Sequence, residues 1–88
     1  MDASETLECI REAARLGRIL IRQGHATDRM MERGVTADEL QGALAQAILC
    51  VPAVPHRWEV HGPDFDGDNL IIICIYDPGD DVVVVTVF

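Results

Sequence analysis

The sequence predicts an α+β domain, with N-terminal helices packed on one face of a small, mainly antiparallel sheet of three to four strands. A change of period carries that prediction: up to Ile48 the apolar residues recur at helical spacing, and after Pro55 they alternate or run together in short β-branched stretches. Punctuation supports it, because Gly17 and Gly34 divide the front half while Asp/Gly/Pro-rich segments at 64–69 and 77–81 divide the back. Eighty-eight residues leave room for one core, and so for a single domain over 1–88.

Ser4 to Leu16 reads as the first helix, with Leu7, Ile10, Ala13 and Ala14 as its apolar stripe and Glu8–Arg11 and Glu12–Arg15 as i,i+3 pairs. Gly17 closes it. Arg18-Ile19-Leu20-Ile21-Arg22 is β-branched and short, which favours a strand over a continuation of the helix. His25 to Arg33 forms two helical turns that bury Ala26 and Met30, with Gly34 at the left-handed position after the end. Thr36 and Glu39 then make a capping box, with Val35 and Leu40 at the staple positions, so a third helix starts at Ala37. Its stripe of Leu40, Ala43, Leu44, Ala47 and Ile48 faces the core, and Pro52 limits its length.

The first back-half strand alternates, placing Trp58 and Val60 on one side and Arg57, Glu59 and His61 on the other. Trp58 reads as a core anchor. Asp64 to Asn69 is a polar turn, since the glutamate that a calcium loop needs at its twelfth position is missing. Leu70 to Tyr76 is the central strand, and after the turn at Asp77 to Asp81 the run Val82 to Phe88 completes a three-stranded meander as an edge open to dimerisation.

Net charge is −8, yet residues 1–34 balance six arginines against six acids, whereas residues 35–88 set Arg57 against nine acids. There is no lysine, so every fixed cation is a guanidinium suited to bidentate contact with phosphate or carboxylate. Such a chain is poorly suited to long polyanions, whose binding requires several neutralised phosphates. Cys9, Cys50 and Cys74 are far apart and odd in number, which predicts free thiols and neither a metal site nor a cofactor. No apolar run is long enough to span a bilayer, and the acidic start lacks the features of a secretory signal, so the expected location is the cytoplasm.

His25-x3-Arg29-x3-Arg33 places an imidazole and two guanidiniums on one helical face, a row that suits an anion. The same spacing also serves arginines that pair with carboxylates, so two readings stand at this point.

The wider segment His25-Ala26-Thr27-Asp28-Arg29-Met30-Met31-Glu32-Arg33-Gly34-Val35 resembles a His-Ala-x-x-Arg-Met-x-x-Arg-Gly-Ile signature of a bacterial domain family related to the RelE-like toxins. Trp58-x-Val60-x-Gly62, Asp66-Gly67 before an apolar strand, and the closing Val85-Thr86-Val87-Phe88 extend the resemblance over residues 18–88, leaving the first helix outside. That resemblance implies a RelE-like fold, metal-independent cleavage of messenger RNA, and a cognate antitoxin, which in the MqsR-like branch carries a zinc-binding domain. It implies His25 as base or acid, Arg29 and Arg33 as cations for the phosphorane, Glu59 or His61 as the second proton-transfer group, and Thr86 as a phosphate-orienting hydroxyl. RelE-like nucleases draw cations from the C-terminal part of the sheet, and nothing after His61 is basic here. A non-catalytic protein-interaction module of the same fold is therefore the alternative expectation.

Overall fold

Three helices lie against a five-stranded sheet in the computed structural model, which describes residues 2–88. Asp2 caps the first helix, accepting the Glu5 amide at 2.8 Å, and α1 runs over Ala3–Arg15. It buries Thr6, Ile10, Ala13 and Ala14, and the chain leaves through Gly17 at φ 73°. The segment that follows is the strand β1, Ile19–Ile21. Next come α2 (His25–Arg33), which buries Ala26 and Met30 and ends on left-handed Gly34, and α3 (Ala37–Ala45). The remaining strands are β2 (Leu49–Ala53), β3 (Arg57–Pro63), β4 (Asn69–Ile75) and β5 (Val82–Val87).

The sheet order is β1-β5-β4-β3-β2, antiparallel except for the parallel pair β1–β5. Ile10, Leu40, Leu44, Val60, Leu70, Ile72, Val82, Val84 and Val87 form the fully enclosed heart of the helix–sheet interface. Val85 is an extra residue in β5, since Cys74 faces Val84 while Ile73 faces Thr86. This bulge lets both Val84 and Val87 turn to the core although three positions separate them. Arg18 fastens the two ends of the chain: its Nε lies 3.2 Å from Asp81, a second nitrogen donates to the Gly79 carbonyl, and its own carbonyl accepts the Val82 amide.

Four expectations are corrected. The sheet has five strands, not three or four, because both Arg18–Arg22 and the segment after α3 contribute one. The third helix stops at Ala45, so Ile48 is 71% exposed and lies just before β2; its amide donates to the His61 carbonyl. Val82–Val87 is not an edge, because β1 pairs with it on the far side from β4; the edges are β1 and β2. Finally, Thr36 accepts the Glu39 amide at 3.1 Å, but the Glu39 carboxylate accepts Phe65 N–H at 2.7 Å instead of turning back to the cap. Burial of Glu39 is stabilised by that bond, which ties the start of α3 to the β3–β4 turn.

Candidate functional site

β1 stops at Ile21, and α2 takes up the space beside the second half of β5. Arg29 bridges the two: its Nε donates to the Val87 carbonyl at 3.3 Å, Nη1 lies 3.5 Å from Glu32, and the guanidinium stacks 5.4 Å from the centre of the Phe88 ring. Arg29 is thus engaged in holding the last strand. His25 is the first residue of α2 and Arg33 the last; both are exposed, and neither lines the groove beside Trp58 and Tyr76. The helix start is capped without His25, because the Thr27 hydroxyl accepts the Gly24 amide at 3.0 Å.

Glu59 and His61 do come together. They project from β3 away from the helices, with His61 Nε2 at 2.7 Å from Glu59 Oε2 and His61 Nδ1 at 2.9 Å from Asn69 Nδ2. If the Asn69 amide donates to Nδ1, the matching tautomer carries its proton on Nε2, toward Glu59. Both ring nitrogens are then occupied by side chains. Thr86 lies in the same cross-strand row, opposite Ile73, which is itself opposite Glu59. Two strand spacings separate Thr86 from Glu59, about 10 Å, and Thr86 is 7% exposed with its hydroxyl directed to the Val87 carbonyl at 3.4 Å. The predicted residues therefore fall into the α2 row, the β3 pair and Thr86 by itself, and the row and the pair do not bond each other.

What surrounds the β3 pair is apolar. Ile71, Ile73 and Ile75 of β4 alternate with core residues and so face away from the helices, and in register beside them stand Leu49, Val51 and, further across the sheet, Val83 and Leu20. Leu20 is 56% and Leu49 45% exposed at the two edges, Val51, Ile71, Ile73, Ile75 and Val83 between them are half-buried, and none of the seven belongs to the core cluster that the helices bury. The two ends of this face are acidic. Asp64, Asp66 and Asp68 crowd the β3–β4 turn, where the Asp64 carboxylate accepts the amides of Asp66 and Asp68, and Asp77, Asp80 and Asp81 line the β4–β5 turn at the opposite end of β4. Of these six acids Asp81 alone has an arginine partner.

The three thiols are free, with Cys50 and Cys74 buried between helices and sheet. Burial pushes the Cys50 thiol up to about 11 and the Cys74 thiol up to about 12, the latter helped by the nearby Cys50. Trp58 packs against the core from the covered side of β3. No helix among the described residues is long and apolar enough to cross a membrane.

No known protein family, curated protein or solved structure matches the chain. The class that its fold and surface define is a two-layer α+β domain whose sheet is bare on one side.

The sequence does not reveal the bare face. Ile71, Ile73 and Ile75 lie in an unbroken apolar run, which gives no alternation to reveal that one side faces solvent. Asn69 carried no signal as a partner of His61, because that contact depends on the β3–β4 register.

Proposed function

We propose that this domain is a non-catalytic protein-interaction module of the RelE-like group, and that it holds a basic amphipathic helix against the bare face of its sheet. The observation that carries the reading is an apolar surface, Leu49, Val51, Ile71, Ile73, Ile75, Val83 and Leu20, bounded at both ends of the strands by acidic turns. An exposed apolar patch with a polar rim is the usual mark of a protein partner. The six strand steps from Asn69 to Ile75 span about 20 Å, the length of a helix of about 14 residues. Such a helix would carry leucine-like side chains in its middle and Lys or Arg at each end, as an antitoxin-type peptide does when it is basic. Charge favours this occupant over a second copy of the chain, which would bring −8 against −8. RelE-like membership rests on the His25–Gly34 segment, and a cytoplasmic setting agrees with three unpaired thiols.

The test is chemical-shift mapping with a synthetic 16-residue peptide that has leucines at helical spacing and two arginines at each end. Saturable shifts at Leu49, Ile71, Ile73, Ile75 and Val83 support the reading, while shifts confined to α2, or none, refute it.

A second reading, metal-independent RNA cleavage, is favoured by one observation, the 2.7 Å pair of Glu59 and His61 on an open surface. It requires that induced expression arrest growth and cleave transcripts, and that His61→Ala relieve both. The module reading predicts normal growth and intact transcripts.

A further inference from the structure

At the end of the sheet where the β2–β3 and β4–β5 connections meet the first turns of α1 lies a groove of about 430 Å³. That volume is within the usual range of about 300–1,000 Å³ for small-molecule sites. Trp58 and Tyr76 give it aromatic walls, and His56, Arg57 and Asp77 bring charge to its rim. Arg57 is the only arginine after Val35, and it is placed with unusual constraint. Its Nη1 donates to the Pro55 carbonyl at 3.3 Å, and its Nε is buried with no hydrogen-bond partner among the described residues. With Nε enclosed and Nη1 turned to Pro55, the outer edge of the guanidinium is the part that Arg57 can offer to a ligand in the groove. His56 adjoins it in the left-handed region at φ 53°, a conformation a non-glycine residue holds at a cost and one found often at binding sites.

We infer that this groove binds a nucleoside monophosphate, with the base against Trp58 and Tyr76 and the phosphate on Arg57 and His56. Aromatic faces stack on any base, and a guanidinium accepts a phosphate through paired N–H donors. Asp77 supplies the complementary element: a carboxylate accepts the two parallel N–H groups on the edge of guanine, and it repels the ring nitrogen acceptor that adenine offers there. The preferred base is therefore guanine. The acidic β4–β5 turn beside the groove and the net charge of −8 select a single phosphate over a polynucleotide. The site is separate from the bare sheet face, and its occupancy does not depend on the protein-binding reading.

Trp58 is the chain's one tryptophan, so its emission reports on the groove directly. The experiment is titration of the full chain with GMP, followed by Trp58 fluorescence excited at the red edge and by calorimetry, with AMP and guanosine as comparison ligands. Expected is saturable binding with Kd below about 1 mM, weakened about tenfold in Arg57→Ala and about tenfold for guanosine, which lacks the phosphate. Asp77→Asn, on an exposed turn, is expected to abolish the preference for GMP over AMP. No saturable binding of GMP, or equal affinity for wild type and a folded Arg57→Ala, overturns the proposal. Should Arg57→Ala unfold by circular dichroism, the Asp77→Asn comparison decides, and an unchanged GMP-to-AMP ratio overturns it. Tighter binding of a 5′-phosphorylated RNA hexamer than of GMP would also overturn the assignment to a single nucleotide.

Discussion

Gly62 of β3 lies so close to Ala43 of α3 that a β-carbon on it would stand 2.0 Å from the Ala43 carbonyl oxygen and 2.7 Å from its carbonyl carbon. Helix and strand meet there backbone to backbone, and the contact sets how α3 sits on the sheet. Because the obstacle is main chain, a methyl group cannot be accommodated by a rotamer change. Gly62→Ala is expected to cost about 3 kcal/mol, which lowers the midpoint of thermal unfolding by about 10–20 °C. Circular dichroism melts of the two proteins check this, and an unchanged midpoint would show that α3 does not approach β3 this closely.

Arg29 anchors the end of β5. Arg29→Ala removes the hydrogen bond to the Val87 carbonyl and the stack on Phe88, and should cost about 1–2 kcal/mol. Arg33→Ala, at an exposed position on the same helix, should stay within about 0.5 kcal/mol of wild type. Urea titrations measure both. Faster hydrogen exchange at the Phe88 amide, which donates to the Ile71 carbonyl, should accompany the first change and not the second.

The buried thiols predict both reactivity and alkaline behaviour. At pH 8 an aromatic disulfide reagent should modify the partly exposed Cys9 and reach Cys50 and Cys74 only after denaturation. Both buried thiols have folded-state values above the ordinary 9.0, near 11 and near 12. The unfolded chain therefore loses those protons first as pH rises. Stability is fully present below pH 9 and falls from there toward pH 11–12, by about 1.4 kcal/mol per pH unit for each thiol. The chain has no lysine to titrate in that window, and Tyr76, raised chiefly by burial, acts in the same direction. Cys50→Ser with Cys74→Ser should flatten the decline between pH 9 and 11 in urea titrations.

Helices were legible through their punctuation, since Gly17 follows the end of α1, Gly34 caps the end of α2 and Thr36 caps the start of α3, whereas nothing marked the end of α3 at Ala45. The β2 strand was not, since Leu49-Cys50-Val51 continues the apolar pattern of α3 and Pro52 reads as a helix limit, while its strand character comes from pairing Cys50 with Val60 across the sheet. The position of β5 was hidden for a similar reason. A three-residue β1 far away in sequence takes its free side, and only tertiary contact reveals that partner. Of the candidate residues, the Glu59–His61 contact was within reach, being two positions apart on one strand face, whereas the anchoring of Arg29 by Val87 depends on a separation of 58 residues.

We propose that the bare sheet face holds a basic amphipathic helix by apolar contact between two acidic ends. The most direct measurement is the affinity of the arginine-ended leucine peptide, followed by fluorescence anisotropy, for wild type and for Ile73→Gln, a change that leaves charge unaltered on the central strand. Loss of one buried isoleucine contact should weaken binding about tenfold, and 0.5 M salt should weaken it further by screening the acidic turns. Equal affinity for the two proteins would mean that the helix does not lie on this face.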